Sequence, residues 1–337
     1  MEVHGSNLAL FEKPLVESAV DSIDWIHHAP VSIPNKNAAL VFDIPGSTNL
    51  YTDLGKSLLR LKVNVTLEDG SALKQEDLVA LSNLGLSTIF SQVDVSLNQK
   101  VITTSVGSNY PYKAYMDVLL NSTNEECQSS LQTELFYKDT AGSMEGVGVK
   151  GGNMGHYNRM LHTNQSQMLI LEGGIRMDIC QQERLITIGV GICIKMSQKE
   201  DSFRLTAEGD KKYKLNIQDA VLKVCRVSLR SDIFVALGNT IKTKPALYPF
   251  WQSDIKTYTL QKGISDYSES DVYRGSVPSV LALALCSSEA FNGDYNKNPF
   301  NFQHYNVNYI EVTVDGISVP SEPLKPNFKE MDYTSVY

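Results

Sequence analysis

The sequence lacks the long apolar runs and the basic excess that would place it in several large protein classes. Its longest apolar runs, such as residues 280–286, fall far short of the roughly 20 residues of a membrane helix. Its 38 acidic and 30 basic residues give a net charge of −8, which disfavours a surface that neutralises many phosphates. The first ten residues show no basic stretch followed by an apolar one, so no secretory signal is visible. We expect no membrane span, no strong nucleic-acid binding, and an intracellular protein that is not secreted.

Cysteine pairs are also missing. The five cysteines are an odd number, lie far apart and form no C-x-x-C pair, so the sequence predicts neither a disulfide framework nor a zinc site. Cys193 and Cys225 lie inside apolar, strand-like runs and are expected to be small buried hydrophobic residues. This cysteine usage indicates synthesis in a reducing compartment.

What the sequence does contain is a normal globular composition and a strong strand pattern. With 337 residues, 42% of them hydrophobic and 20% charged, it predicts two domains or one large β-rich domain. Alternating or short apolar runs bounded by turn residues predict strands, and a run with helical spacing after Pro111 predicts one short helix at 110–120. The predicted strands lie at 38–44, 58–67, 89–97, 100–104, 167–172, 185–196, 203–206, 214–229, 255–260, 280–287, 309–314 and 317–319. The fold class is therefore all-β, with a sandwich architecture.

Two segments do not fit the strand pattern. Residues 1–31 are interrupted by prolines and carry an amphipathic stretch at 15–25 with helical spacing, so we predict an N-terminal arm outside any sandwich. Residues 139–166 are rich in Gly, Asn, Ser and Met, and we predict a long, exposed loop that tolerates substitution.

One short sequence pattern also occurs twice in the chain. Residues 90–102 (FSQVDVSLNQKVI) and 305–319 (YNVNYIEVTVDGISV) each hold an aromatic residue, an alternating strand, a two-residue turn and a second strand. Two similar β modules in series would make a repeated sandwich. Any two hairpins share alternation, however, so the pattern by itself leaves duplication open.

Two motifs known from enzymes occur in the sequence without the context that each requires. Residues 146–151 read G-x-G-x-x-G, but the flanking residues are neither the strand nor the apolar helix that a dinucleotide site needs, which favours a flexible loop. Residues 139–142 (DTAG) resemble the Asp-Thr-Gly of aspartic proteases, which share a proton between two carboxylates. Only one copy is present, and it does not follow an apolar strand, so Asp139 is expected to lie in a turn.

The histidines form no ligand set. His27 and His28 are adjacent and point to opposite faces of an extended segment, and His156 and His162 lie in the predicted loop, where we expect them to be exposed. No nucleophile elbow, Walker loop or H-E-x-x-H motif is present. We therefore assign no catalytic, no cofactor-binding and no metal-binding residues, expect no cofactor, and do not favour an enzyme.

Several runs resemble the capsid proteins of Polinton (Maverick) elements and the related adintoviruses, from about residue 8 to residue 337. The matching runs are 90–98 (FSQVDVSLN), 110–112 (YPY), 135–142 (LFYKDTAG), 173–178 (GGIRMD), 182–185 (QERL), 217–222 (IQDAVL), 290–293 (AFNG) and 298–302 (NPFNF). The resemblance implies a double jelly-roll major capsid protein of the hexon type: an arm at 1–31, a first jelly roll at 32–240 and a second at 241–337.

The resemblance also implies partners and a location. These are a homotrimer that forms a pseudo-hexagonal tile of an icosahedral shell, neighbouring capsomers, a penton-type minor capsid protein, and the virion. Relatives of this type continue beyond the position of residue 337, so the second jelly roll is expected to be partial, through truncation, domestication or completion by another chain. The alternatives are a penton-type minor capsid protein with one jelly roll, or a jelly-roll module that binds carbohydrate or another ligand.

Overall fold

The structure is a computed structural model that describes residues 19–31, 38–103, 109–273, 275 and 277–336. Strands predominate, so the predicted all-β class is confirmed. The strands are β1 (Val20–His28), β2 (Leu40–Ile44), β3 (Tyr51–Leu67), β4 (Val79–Leu81), β5 (Phe90–Leu97), β6 (Lys100–Val101), β7 (Leu169–Gly174), β8 (Ile192–Gln198), β9 (Leu205–Ala207), β10 (Tyr213–Leu229), β11 (Thr313–Val314) and β12 (Ile317–Ser318). The α-helices are α1 (Gly85–Thr88), α2 (Tyr110–Asn121), α3 (Asn124–Cys127), α4 (Met154–Leu161), α5 (Asp201–Arg204), α6 (Ser231–Ile241) and α7 (Ser288–Asn292).

Two antiparallel sheets of four strands form a sandwich. One sheet has the order β1-β10-β3-β7 and the other β2-β8-β5-β6, while β4 and β9 form a small separate pair. Along the chain, the longer strands from β2 to β10 alternate between the two sheets, so each connection crosses from one sheet to the other. This is the two-sheet arrangement in which jelly rolls avoid long open edges.

The sandwich core follows directly from alternation. In β3, Leu59, Leu61, Val63 and Val65 are buried, and in the opposite sheet the apolar residues of β2, β5 and β8 join the same cluster. The intervening Arg60 and Lys62 are exposed, and Asn64 is half-buried. Burial of about 25 cal/mol per Å² of apolar surface makes this core the main source of stability. The predicted strand at 58–67 is confirmed as the second part of β3.

Turn chemistry sets the register of the hairpins. Asn98 and Gln99 both have positive φ (46° and 68°), the geometry of a two-residue hairpin turn between β5 and β6. Asp315 and Gly316 do the same (50° and 81°) between β11 and β12. Both predicted hairpin turns are confirmed, although the second hairpin holds only two residue pairs.

The N-terminal prediction is wrong where it can be compared. Residues 20–28 do not form a helical stripe outside the sandwich; they pair antiparallel with β10 as β1, from Val20 opposite Leu229 to His28 opposite Leu222. Pairing with the edge of β10 gives the backbone of this segment a row of hydrogen bonds. An amphipathic helix whose apolar face stays uncovered would be less stable than this pairing. Residues 1–18 of the predicted arm lie outside the described residues.

The predictions after β10 also need correction. The predicted strands at 255–260 and 280–287 are not strands, and of 309–314 only Thr313–Val314 is one. A helix, α6, occupies 231–241 where no element was predicted. In the first part, the run 185–196 begins as irregular chain and becomes a strand only at Ile192. The division into domains at 31 and 240, and a second jelly roll at 241–337, stay predictions.

Candidate functional site

The residues singled out by sequence motifs meet in one buried polar cluster beside the sandwich. We call it the anchor and define it as Asp139, His156, Arg159 and Asn298. All four side chains belong to residues that are buried, and Arg159 and His156 are each 1% exposed. The anchor joins the 139–166 region to a residue far along the chain.

An ion pair between Arg159 and Asp139 lies at the centre of the anchor. Arg159 Nη2 donates to Asp139 Oδ1 at 2.9 Å, and both side chains are 1% exposed. The guanidinium also donates through Nε to the carbonyl oxygen of Leu81 at 3.0 Å and through Nη1 to that of Tyr137 at 2.9 Å. A buried charge with these partners holds the chain in place, because each of the three guanidinium nitrogens donates to an acceptor.

Asn298 completes the coordination of the carboxylate. Its Nδ2 donates to Asp139 Oδ2 at 3.0 Å and to the carbonyl oxygen of Met144 at 3.0 Å, while its Oδ1 accepts from the amide of Phe300 at 3.0 Å. Both carboxylate oxygens of Asp139 are therefore engaged. A carboxylate held in this way is a structural acceptor and is not free for general acid–base work.

His156 lies next to this pair as a neutral imidazole. Nε2 is 3.1 Å from the carbonyl oxygen of Thr206, and the amide of Gly148 donates to Nδ1 at 3.4 Å, so the proton is on Nε2. Burial, together with the charge of Arg159, lowers the pKa of His156 to about 4. The prediction that His156 is exposed in a polar loop is wrong.

The glycine-rich run precedes α4 yet does not offer a phosphate site. A Cβ at Gly146 would lie 1.9 Å from the carbonyl oxygen of Gly151, so the chain closes on itself there. The start of α4 is already capped, because Asn153 Oδ1 accepts from the amide of His156 at 3.3 Å and Thr140 Oγ1 accepts from that of Met154 at 3.0 Å. DTAG does form a turn, with the amide of Ser143 donating to the carbonyl oxygen of Thr140 at 3.0 Å. The region 139–166 as a whole is folded, which corrects the prediction of an exposed loop.

Aromatic rings extend the anchor into the core. Phe300 is 1% exposed and stacks on Tyr115 with ring centroids 4.0 Å apart and planes at 8°. Tyr112 stacks on Phe291 at 5.4 Å, and its edge meets Phe300 at 5.7 Å. Burial raises the pKa of both Tyr112 and Tyr115 well above the ordinary value for tyrosine. These rings fix residues 288–302 against α2.

A second ionic contact fixes the start of the downstream chain. Lys113 Nζ is 2.9 Å from Asp178 Oδ1, and Asp178 Oδ2 accepts from the amide of Ser253 at 2.8 Å. Nearby, Arg184 Nη1 donates to the carbonyl oxygen of Leu247 at 2.7 Å, and the amide of Thr187 donates to Tyr248 Oη at 3.0 Å. Residues 247–253 are therefore held on the first sandwich.

The chain that leads through the attachment at 247–253 to the attachment at 288–302 is long and largely exposed. We call residues 242–287 the linking segment; its described part contains neither helix nor strand. Several of its large apolar side chains point to solvent, with Trp251 83%, Val280 76%, Leu247 69% and Leu283 66% exposed, whereas Tyr248 and Ile255 pack against the core. It makes a few contacts with itself, such as Lys256 Nζ 4.9 Å from the centre of the Tyr273 ring. Exposed apolar surface of this extent is typical of segments that contact another protein surface.

Sequence reasoning named Asp139, His156 and the glycine run but missed what they do. No motif in the sequence singles out Arg159, and Asn298 enters only as part of the run NPFNF. The signal that could have found the anchor is the set of resembling runs, since 135–142 and 298–302 meet in it, while 110–112 and 290–293 meet in the aromatic rings beside it. Within the described ranges no group of three or more His, Cys, Asp or Glu side chains could hold a metal ion. The described part of the chain also contains no helix long and apolar enough to cross a bilayer.

Comparisons with known proteins give distant similarities. No family model matches the sequence. The uncharacterized protein F54H12.2 of Caenorhabditis elegans is 24% identical over 308 residues, which are 88% of this chain and 70% of that protein.

Three solved structures overlap the fold in part. They are the mavirus major capsid protein (12% identity, TM-score 0.40, 62% of this chain and 48% of that one), the Faustovirus major capsid protein (9%, 0.40, 71% and 59%) and the PBCV-1 virus capsid, quasi-atomic model (10%, 0.34, 67% and 46%). The chain spans about half the length of these capsid structures. None of these similarities is close enough to assign the chain to a family.

Proposed function

We propose that this protein is a self-assembling structural subunit, a viral or virus-derived major capsid protein. The observation that carries the proposal is the linking segment, which is attached to a folded sandwich at both ends and exposes large apolar side chains between them. A protein that acts alone in water gains nothing from this arrangement. A protein that joins copies of itself through broad faces does.

The chemistry of the anchor favours a structural role over catalysis. Asp139, the carboxylate of the protease-like motif, accepts from Arg159 and Asn298, and His156 is hydrogen-bonded at both ring nitrogens. The side chains of the anchor are thus engaged with the protein itself. We propose that the protein is not an enzyme and that these residues serve the fold.

The finer features of the proposal rest on the resemblance in sequence. On this proposal the protein forms homotrimers, each a pseudo-hexagonal capsomer that meets its neighbours and a penton-type minor capsid protein in an icosahedral shell. It is made inside the cell and resides in the virion. Four of the eight resembling runs pack together in the anchor and the aromatic rings beside it, which supports this proposal because a shared fold requires a shared set of packed residues.

The oligomeric state tests the proposal. Size-exclusion chromatography with light scattering, combined with negative-stain microscopy, should give a mass near three times 37.4 kDa or larger particles. A mass of one chain at all protein concentrations would overturn the proposal. A monomer that also binds a glycan or small ligand would favour the ligand-binding jelly-roll module instead.

A further inference from the structure

Residues 288–302, which we call the docked segment, lie in a cleft with two walls. The first wall is formed by residues 139–151 and includes the carboxylate of the anchor. In this wall Glu145 receives two side chains of the docked segment. Lys297 Nζ lies 3.3 Å from Glu145 Oε2, and Asn301 Nδ2 donates to Glu145 Oε1 at 3.3 Å. The docked segment is therefore tied to the first wall by several polar contacts besides the anchor.

The second wall of the cleft is β9 and the chain that follows it. The amide of Ala207 donates to the carbonyl oxygen of Tyr295 at 2.8 Å. The amide of Gly209 donates to Asn296 Oδ1 at 3.0 Å, and Tyr295 Oη donates to the carbonyl oxygen of Tyr213 at 2.8 Å. The docked segment is thus held from two sides, and it stays bound only while both walls keep their positions.

The imidazole of His156 connects the two walls. Its Nδ1 accepts from the amide of Gly148 in the first wall at 3.4 Å, and its Nε2 donates to the carbonyl oxygen of Thr206 in the second at 3.1 Å. The residue is only 1% exposed. Both contacts depend on the neutral ring, because Nδ1 must keep a free lone pair while Nε2 carries the proton.

A second proton on His156 has no acceptor at Nδ1. It would point at the amide hydrogen of Gly148, so that a donor would face a donor. The charged groups that face the ring are Arg159 on its own helix and Asp139 in the first wall. β4, which packs on α4, and β9 contain no titratable side chain. Because Asp139 is already paired with Arg159, a charged imidazole would leave this buried cluster with an excess positive charge.

We propose that protonation of His156 releases the docked segment from the cleft while the sandwich stays folded. The first wall moves away from the charged ring, and the contacts of Lys297, Asn298 and Asn301 with that wall are lost together. The ladders of the two four-stranded sheets contain no residue of the first wall or of the docked segment. Release therefore breaks no ladder of these sheets, and it exposes the ring of Phe300.

The linking segment allows this movement. Its described part contains neither helix nor strand, so it can follow the docked segment without losing a ladder of its own. The inference goes beyond the proposed function and does not depend on self-assembly, because every contact that it uses lies within one chain.

Hydrogen exchange of the full chain in dilute solution at pH 7 and pH 5 tests the proposal. Each rate is divided by the intrinsic rate at that pH, so that only protection is compared. The pKa of His156 is about 4 in the closed cleft and about 6.5 once the ring is exposed, so protection at 291–302 should fall about 20-fold. Amides of β3 and β10 should stay more protected than these at both pH values, because they exchange only when the sandwich itself opens.

Three substitutions identify the group that titrates. His156→Gln cannot gain a proton, so protection of the docked segment should be the same at pH 7 and pH 5. His162→Gln is the matched control, because this histidine is exposed, and it should retain the 20-fold fall. Glu145→Gln should also retain it, since this change removes the carboxylate of the first wall and leaves His156 in place.

The results that would overturn the proposal are distinct. If His156→Gln shows the wild-type fall, a carboxylate such as Asp139 or Glu145 governs release. If the docked segment and β3 have equal protection at pH 5, the segment leaves only when the whole sandwich unfolds. If wild-type protection at 291–302 is unchanged between the two pH values, opening of the cleft does not expose His156. Should His156→Gln not fold, His156→Asn replaces it, and the comparison of the docked segment with β3 in the wild type still decides whether release is separate from unfolding.

Discussion

At the residue scale, the contact with the largest expected effect is the ion pair between Asp139 and Arg159. Asp139→Asn removes the negative charge and leaves the guanidinium buried at 1% exposure without its counter-ion. Breaking a buried pair from one side costs about 3–5 kcal/mol of unfolding free energy. We expect the urea midpoint of the variant to fall accordingly.

A matched pair on the surface provides the control for this substitution. Arg230 and Asp232 also form an ion pair at 2.8 Å, but their side chains are 51% and 61% exposed. Asp232→Asn should change stability by less than about 1 kcal/mol. Equal effects of the two substitutions would show that the anchor is not the rigid point described here.

The neutral imidazole of His156 makes stability depend on pH. Its pKa is about 4 in the folded protein and near 6.5 when unfolded, so between these values the unfolded chain binds a proton that the folded chain does not. Stability contributed by the neutral form is therefore present above pH 6.5 and is lost as the pH falls towards 4, by up to about 3 kcal/mol.

Replacement of His156 measures how much of the pH dependence of stability comes from this residue. His156→Gln cannot titrate, so its urea midpoint should fall less between pH 6.5 and pH 4 than that of wild type. His162→Gln should retain the full wild-type decrease, because His162 lies at the surface beside Tyr137. Parallel pH profiles for wild type and His156→Gln would contradict this account.

At the scale of elements, the aromatic stack determines how firmly residues 288–302 are attached. Phe300→Ala removes a fully buried ring from between Tyr115 and Phe203, which should cost about 3–5 kcal/mol. In limited proteolysis, the variant should then be cleaved near residue 285 sooner than the wild type is. Phe328→Ala is the control, since Phe328 stacks on His304 with centroids 4.0 Å apart but is only half-buried. Equal protease resistance of wild type and Phe300→Ala would argue that the stack does not hold the segment.

Individual elements also show where sequence reasoning succeeded and where it could not. The strand at 58–67 and the helix at 110–120 were predictable, because alternation and helical spacing report directly on a buried face. The strand-like runs at 255–260 and 280–287 carry the same pattern but have no ladder in the described chain. An alternating sequence pattern shows that a segment can form a strand, but the strand forms only where a second strand pairs with it.

The anchor illustrates a different limit. Glycine and asparagine content made 139–166 read as a loop, since composition does not reveal that Asp139 pairs with Arg159 twenty positions later and with Asn298 far beyond. β1 was missed for a related reason: its apolar residues fit helical spacing, and the open side of β10 decided otherwise. Contacts between distant residues overrode local preference in both cases.

At the scale of the whole molecule, protection against hydrogen exchange should be uneven. Amides of β3, β8 and β10 lie in ladders over a buried core and should exchange slowly. Amides of the described residues in 254–284 have few partners and should exchange rapidly in a dilute monomer, with slower exchange returning at 288–302. If the exposed linking segment lies in a contact between copies, raising the concentration until oligomers form should slow its exchange. Uniform protection in a monomer would mean that the linking segment is already packed.

The distance along the chain between Asp139 and Asn298 has a consequence for biosynthesis. The carboxylate is completed by an amide 159 positions later, so the ribosome releases the last strand of the sandwich, β10, well before the residue that finishes its polar interior. At about 5–20 residues per second, the roughly 70 residues between them take some 4–14 s to translate. During that interval the Asp139 carboxylate lacks Asn298, and the ring of Tyr115 lacks Phe300, on which it stacks in the finished fold. Completion of the anchor is thus timed by translation of a distant segment of the chain.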